Sequence, residues 1–411
     1  MAVKAGYKKT EVGVIPDDWD VSTVGAEFEI KLGKMLDSEK NVGVPKPYLG
    51  NKSVQWGRID LSDLPTVPMT RADLEKYRLR DGDLLVCEGG DVGRAALWNS
   101  PLEECYYQKA LHRLRPLRGF DSRLMVELLR QWSDRGLLAN YVTQTSIAHL
   151  PREKFMGVPM PVPPVPEQRA IATALSDVDA LLSALEQLLA KKRDLKQAAM
   201  QQLLTGQTRL PGFHGEWEFK ALGDLADIRS GGTPSTAEPK FWDGEVLWCT
   251  PTDITALKGR RYLFETSRRI TELGLKFSSA EKIPANSVVM TSRATIGDCA
   301  INTVPVSTNQ GFKNFVPFHY VDVDFLYYLL TTQKQGFISL CGGSTFLEIG
   351  KGQLVTYEVR LPLDKGEQTA IAAVLSDMDA ELEVLEQRLT KTRTLKQGMM
   401  QELLTGRTRL L

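Results

Sequence analysis

Residues 167–210 read EQRAIATALSDVDALLSALEQLLAKKRDLKQAAMQQLLTGQTRL, and residues 367–410 read EQTAIAAVLSDMDAELEVLEQRLTKTRTLKQGMMQELLTGRTRL. The stretches stand 200 residues apart and align without gaps, with 29 of 44 positions identical. Agreement of that extent marks an internal duplication. In the first copy Ile171, Leu175, Val178, Leu182, Leu185 and Leu189 step by 4, 3, 4, 3, 4, and in the second Ile371, Leu375, Met378, Leu382, Leu385 and Leu389 do the same. This is a heptad seam, the pattern of helices packing side by side. The next expected positions carry Lys192 and Thr392, so the seam is expected to shift phase and continue through Leu195/Leu395 and Leu203/Leu403. Acidic Glu167 and Asp177 near the start and basic Lys191 to Lys196 later suit the helix dipole. Gly206 and Gly406 after LLT are left-handed C-caps. A helix from Glu167 to Thr205 is about 58 Å long at ~1.5 Å per residue.

One chain buries two equal seams most simply by pairing them. Two duplicated units related by a pseudo-twofold axis would pack their helices antiparallel and hold the preceding domains at opposite ends. Those domains, roughly 1–165 and 211–365, share a plan and little sequence. Each opens around a tryptophan, Trp19 or Trp217, and has a β-rich stretch: GDLLVCEGGDVGRAALW (82–98) or ANSVVMTSRATIGDCAI (285–301). A strand bearing a glutamine follows (106–116, 307–317), then a helical pattern, then an apolar strand with proline. The fold class expected is α+β: two mixed α/β domains separated by two long helices pairing as an antiparallel coiled coil. The boundaries expected are 1–165, 166–206, 207–365 and 366–411.

Composition narrows the function. The 411 residues are 42% hydrophobic and 25% charged, ordinary globular values that exclude wholesale disorder. No apolar run reaches the ~18 residues of a membrane helix, and the start has no signal-peptide core, so no membrane role is expected. Cys87, Cys105, Cys249, Cys299 and Cys341 are scattered and never in C-x-x-C spacing, which reads as a reducing cytoplasm and speaks against zinc. The chain holds 51 basic and 51 acidic residues, which excludes a globally basic coat protein but not a local basic groove. There is no phosphate-binding G-x-x-x-x-G-K-[ST] and no dinucleotide or S-adenosylmethionine glycine fingerprint. GGDVG (89–93), SGGTP (230–234) and CGGST (341–345) read as turns, and His112, His149, His214 and His319 are isolated from one another. No catalytic site, cofactor site or metal site is expected in this chain.

Charge is locally biased in two windows. Residues 105–120 hold Lys109, Arg113, Arg115 and Arg118 and no acid. Residues 258–276 hold Lys258, Arg260, Arg261, Arg268, Arg269 and Lys276 against Glu265 and Glu272. Such clusters suit phosphates, and neighbouring Gln, Asn and Arg can read base edges. A solvated face is the plainer reading of either window alone; their recurrence in both duplicated domains favours nucleic acid.

The doubled helix opening (PVPPVPEQRAIA at 161–172, LPLDKGEQTAIA at 361–372), the LLTG exit, the divergent domain before each helix and the strands Tyr107-Gln108 and Asn309-Gln310 carry a resemblance. The architecture resembles the specificity subunit of a type I restriction-modification enzyme, over essentially the whole chain. Tyr107 stands where Asn309 does, and Cys87-Glu88-Gly89-Gly90 replaces a loop like Thr291-Ser292-Arg293. The resemblance implies two target recognition domains that read the halves of a split, asymmetric site in double-stranded DNA, with the helices as a ruler. It implies docking of two methyltransferase subunits that bring S-adenosylmethionine and methylate adenine N6. Restriction subunits would bring ATP and Mg, all in a bacterial or archaeal cytoplasm. The DNA contacts expected from the basic windows and the neighbouring strands are Arg94, Gln108, Lys109, Arg113 and Arg115 in the first domain. In the second they are Arg260, Arg261, Arg293, Asn309, Gln310, Lys313, Ser344 and Thr345. A coiled-coil scaffold without a DNA role is the alternative.

Overall fold

The structure, a computed structural model, describes residues 5–37, 39, 41–144, 148–341 and 347–410. The chain divides into two compact units, one of Met1–Glu186 with Gln387–Leu411 and one of Gln187–Glu386. The division falls inside the long helices, so each unit joins one mixed α/β domain to the first half of its own helix and the last half of the other.

Unit 1 is built on an antiparallel sheet of β1 (Phe28–Leu32), β2 (Asp83–Cys87), β3 (Ala95–Trp98) and β4 (Leu111–Pro116), in the order β3-β2-β4-β1. All five residues of β2, DLLVC, are buried. A strand covered on both faces reads as a continuous apolar run, not an alternation. Leu84 and Val86 face the main core with helix α1 (Ser122–Asp134), while Leu85 and Cys87 face a smaller core with Leu49, Val54, Tyr107 and Leu111. Asp121 caps α1 by accepting from the Arg123 amide (2.9 Å). Helix α2 then spans Val165–Leu203.

Unit 2 repeats the plan with β5 (Ala226–Ser230), β6 (Ser287–Thr291), β7 (Cys299–Asn302) and β8 (Phe312–Pro317), in the order β5-β8-β6-β7, and the short strand Tyr262–Leu263 adds in parallel to β7. Helix α3 (Val323–Thr332) is capped by Asp322, and helix α4 spans Lys365–Leu403. The two long helices have the same 39-residue length.

In each unit the start of one long helix meets the end of the other. Ile171, Leu175, Met400, Leu403 and Leu404 share the core of unit 1; Ile371, Leu375, Leu203 and Leu204 share that of unit 2. Leu185, Leu189 and Leu389 are buried, whereas Val178, Leu182, Met378, Leu382 and Leu385 are half-buried. In unit 1 Arg393 pairs with Glu186 (2.6 Å) and Lys396 with Asp179 (2.5 Å); in unit 2 Lys192 pairs with Glu381 (2.7 Å) and Lys196 with Asp379. Partner numbers fall on one helix as they rise on the other, so the segments run antiparallel.

The seam does not shift phase. Lys192, Lys196, Thr392 and Lys396 keep the register and are buried or half-buried, while Leu195 and Leu395 are 46% and 59% exposed. Long lysine stems cover apolar surface while the ammonium groups reach carboxylates across the pair, so a polar residue holds an inward position.

The residues that join helix to domain explain why the copies stayed alike. Trp19 Nε1 donates to Glu167 (2.9 Å), which also accepts from Arg409 Nε and Nη2 (2.5 and 2.7 Å). In unit 2 Trp217 donates to Glu367 (3.3 Å), which accepts from Arg209 (2.6 and 2.7 Å). The adjacent Gln168 and Gln368 each accept from the amide of the domain-helix cap, Asp121 (3.0 Å) or Asp322 (2.9 Å). The EQ opening of one copy is therefore the receptor for the TR exit of the other.

Candidate nucleic-acid interface

In unit 1 five segments converge beyond the ends of β2 and β4. The Gln108 amide donates to Leu49 O (3.0 Å), Lys109 N to Lys34 O (2.8 Å), Glu88 N to Ala110 O (2.9 Å) and Leu150 N to Glu88 O (2.7 Å). Gly33 lies so close to the Tyr107 and Gln108 carbonyls that a Cβ would collide with them. Gly89 forms a β-bridge with His149, and Asn51 donates to Gly89 O (2.7 Å). Burial raises the Glu88 carboxyl above its ordinary range.

Unit 2 has the same frame. Asn309 N donates to Cys249 O (3.0 Å), Ser292 N to Gly311 O (2.7 Å) and Ile349 N to Ser292 O (3.1 Å), while Arg293 bridges Glu348. Gly231 repeats Gly33, its missing Cβ leaving room for Asn309 O. These bonds fix an equivalence that differs by one from the sequence alignment of the glutamine strand. Leu111 N donates to Gln108 O as Phe312 N does to Asn309 O, so Gln108 matches Asn309, Lys109 matches Gln310 and Tyr107 matches Thr308. Backbone register, not residue likeness, decides the match.

At the shared register the side chains differ: Glu88 against Ser292, Gly89 against Arg293, Lys109 against Gln310, His149 against Glu348. Below them His112 matches Lys313. His112 is buried with Nε2 on Leu150 O (2.9 Å), and burial lowers its pKa to about 4. Lys313 is 5% exposed, near Ser292 Oγ (3.4 Å) and Phe312 O (3.3 Å), and burial lowers its pKa too.

The expected DNA contacts separate into three groups. Lys109, Arg260 and Gln310 are exposed; Arg293, half-exposed, meets Glu348 through Nε (2.8 Å); Gln108 and Asn309 are half-buried in the loop cluster, and Asn309 Oδ1 accepts from Gly311 N (2.9 Å). All but Arg260, which precedes the edge strand Tyr262–Leu263, belong to the candidate interface, where Thr233 donates to Gln310. Arg113, Arg115, Arg261, Lys313 and Arg94 do not present their charge to a ligand. Arg113 is 2% exposed and paired with Glu29; Arg115 grips Asp83 through two bonds (2.5 and 2.9 Å). Arg261 bonds Tyr328 Oη (2.8 Å) and Ser376 Oγ (2.6 Å), tying unit 2's domain to α4. Arg94 is held by Asn51 O and Oδ1 (3.0 and 3.1 Å). A sheet-interior guanidinium needs a carboxylate or carbonyl more than it can serve a ligand, and nothing in a basic run distinguishes the two roles. Ser344 and Thr345 lie outside the described residues. The second basic window is likewise divided: Arg268 stacks 3.9 Å from the Trp242 ring centre, and Arg269 approaches Glu245 (3.8 Å). Lys31, Lys76 and Arg152 share no motif, yet the fold gathers them with Lys109 beside the loop cluster of unit 1, while Lys34 is held by Asp73 (2.8 Å).

Two frames of this kind in one chain invite comparison with known proteins. The profile of the type I restriction modification DNA specificity domain matches residues 16–196 and again 214–392. The chain belongs to this specificity family. A specificity subunit supplies recognition and not catalysis, which fits loop clusters that differ in side chains on one backbone frame. Among curated relatives, the chain is 36% identical over 170 residues to the type I restriction enzyme MjaIX specificity subunit of Methanocaldococcus jannaschii, covering 41% of this chain and 39% of that relative. It is 24% identical over 424 residues to the putative MjaX specificity subunit of the same organism, covering 98% and 97%. It is 27% identical over 258 residues to the EcoR124I/EcoR124II specificity subunit of Escherichia coli, covering 60% and 59%. Among solved structures, the S subunit from M. genitalium superposes with a TM-score of 0.60 at 16% identity, covering 98% of both chains, a likeness of fold. A second, from work on complex assembly and conformational transition of the type I system, superposes at 0.59 and 17% identity over 95% and 99%. Among the described residues no helix is long and apolar enough to cross a membrane.

Proposed function

We propose that this specificity subunit addresses a type I restriction-modification complex to a split, asymmetric site in duplex DNA, unit 1 reading one half and unit 2 the other. The observation that carries this reading is the pair of loop clusters with matching backbone bonds and different side chains on them, Glu88 against Ser292, Gly89 against Arg293 and His149 against Glu348. Phosphate and backbone contacts place a protein on DNA, and base-edge contacts specify sequence. One frame with two side-chain sets therefore suits two half-sites of one approach geometry and different sequence. The long helices α2 and α4 set the unread spacer, and as duplicated elements they offer related docking sites to two methyltransferase subunits. Those subunits bring S-adenosylmethionine and methylate adenine N6; restriction subunits bring ATP and magnesium. The work takes place on cellular DNA in the cytoplasm. A scaffold without a DNA role leaves the differing loop clusters without a purpose.

Single-molecule methylome sequencing of cells carrying this chain with its methyltransferase tests the proposal. The expected result is one bipartite motif with two unlike half-sites and a constant spacer. A continuous motif, or an unmodified genome despite assembly, contradicts it.

A further inference from the structure

Unit 1 holds a cavity of about 400 Å³ beside the loop cluster, lined by Lys31, Lys76, Lys109, Arg152, Tyr77 and Tyr107 together with the backbone around Gly33. Its volume lies in the lower range of ligand clefts, ~300–1,000 Å³. Four cations line it and no carboxylate does. Lys31 has Glu29 nearby (2.7 Å), and Arg152 gives its Nε to Ile30 O (2.8 Å) and approaches exposed Glu153 at 3.9 Å. Lys76 lies 5.0 Å from the Tyr77 ring centre, and Lys109 is exposed. Tyr107 is fully buried, and its hydroxyl has no hydrogen-bond partner among the described residues. A buried donor without an acceptor costs free energy and calls for an explanation.

We propose that this cavity seats the sugar-phosphate backbone of duplex DNA at the edge of the first half-site, Lys76 and Lys109 neutralising a phosphate while Arg152 and Lys31 define the rim. A phosphodiester matches the cation set, and the half-buried Tyr77 ring accepts the apolar face of the adjoining sugar. The cations come from positions 31, 76, 109 and 152, scattered in sequence and gathered by β1, the turn before β4 and the helices Arg71–Tyr77 and Arg152–Met156. In unit 2 Arg229 stands where Lys31 does, beside Asp227 (2.7 Å) as Lys31 is beside Glu29, and Lys351 stands where Arg152 does, whereas uncharged Gln310 stands where Lys109 does. The anchor as a set that includes Lys109 belongs to unit 1, and it rests on the DNA-recognition reading above.

The test is equilibrium binding of cognate and scrambled duplexes across a salt series, with the full chain assembled with its methyltransferase. Lys76→Gln/Lys109→Gln is compared with wild type, both side chains lying at the surface, and thermal melting verifies folding. The double variant should weaken both duplexes by the same factor and flatten the slope of log affinity against log salt by ~1 for each phosphate no longer neutralised. Cognate preference should not change. An unaltered slope in the double variant, with wild type binding steeply, overturns the cavity assignment alone. A selective loss of cognate preference also overturns it, since that marks base reading. If wild type itself shows neither cognate preference nor salt dependence, the recognition reading fails first. Inorganic phosphate and ATP serve as controls: if they bind the cavity and the double variant abolishes that binding without moving the DNA slope, the cavity serves a free anion.

Discussion

Arg293 shows what a single side chain adds to a shared frame. It stands on the β-bridge where unit 1 has Gly89, half-exposed, with Glu348 against its Nε at 2.8 Å. A carboxylate that steadies an arginine leaves donors for a base edge, and a good bidentate contact discriminates by ~1–3 kcal/mol. Arg293→Ala should therefore relax one position of the second half-site by about that amount and leave the first half-site unchanged, as read by competition binding with single-base variants. Below the frame, His112 makes a separate prediction. Its folded pKa of about 4 lies under its ordinary 6.5, so the folded state resists a proton that the unfolded chain accepts. The stabilisation is complete above pH ~6.5 and declines as pH falls toward 4, by up to ~1.4 kcal/mol per pH unit. His112→Gln should flatten the stability of unit 1 between those limits in denaturant titrations; an unchanged pH slope would show that the imidazole is not buried neutral. Little of this was legible in sequence. Exposed Lys109 and buried Arg113 belong to the same basic run, and only the carboxylate of Glu29, 84 positions away, separates their roles.

The long helices were the most legible elements, because a heptad repeated twice leaves few alternatives. The first, Val165–Leu203, lies within two residues of the expected Glu167–Thr205 at each end, while the segments expected at 166–206 and 366–411 run past the helix ends at Leu203 and Leu403. What spacing misrepresented is polarity within the seam. Lysine at an inward position reads as a break until the facing Asp179, Asp379 and Glu381 are known. The register gives a direct comparison by chemical denaturation. Leu185→Ala or Leu189→Ala, both buried, should cost ~2–4 kcal/mol, whereas Leu195→Ala, on the exposed side, should stay within ~0.5 kcal/mol. Equal losses at Leu189 and Leu195 would restore the shifted register. The recognition strands were legible as apolar runs, but their order β3-β2-β4-β1 was not. That order depends on pairings between segments 80 to 88 residues apart, from His112 with Leu32 to Pro116 with Phe28, which local pattern does not encode.

At the scale of the whole molecule, duplication divides the chain into what must match and what is free to differ. Glu167 and Glu367, with Arg209 and Arg409, must match because each copy's opening binds the other's exit, and Gln168 and Gln368 because each holds the cap of its own domain helix. The loop clusters carry no such obligation and have diverged at nearly every outward position. The central claim is that address is stored separately in the two units. Exchanging residues 218–361, the unit 2 domain inside the Trp217 and Glu367 junction, for the corresponding segment of a relative with a different loop cluster tests it most directly. Methylomes of the parent and hybrid chains, each with the same methyltransferase, are then compared. The account predicts an unchanged first half-site, an unchanged spacer and a new second half-site. A motif altered in both halves, or in neither while methylation persists, would contradict it.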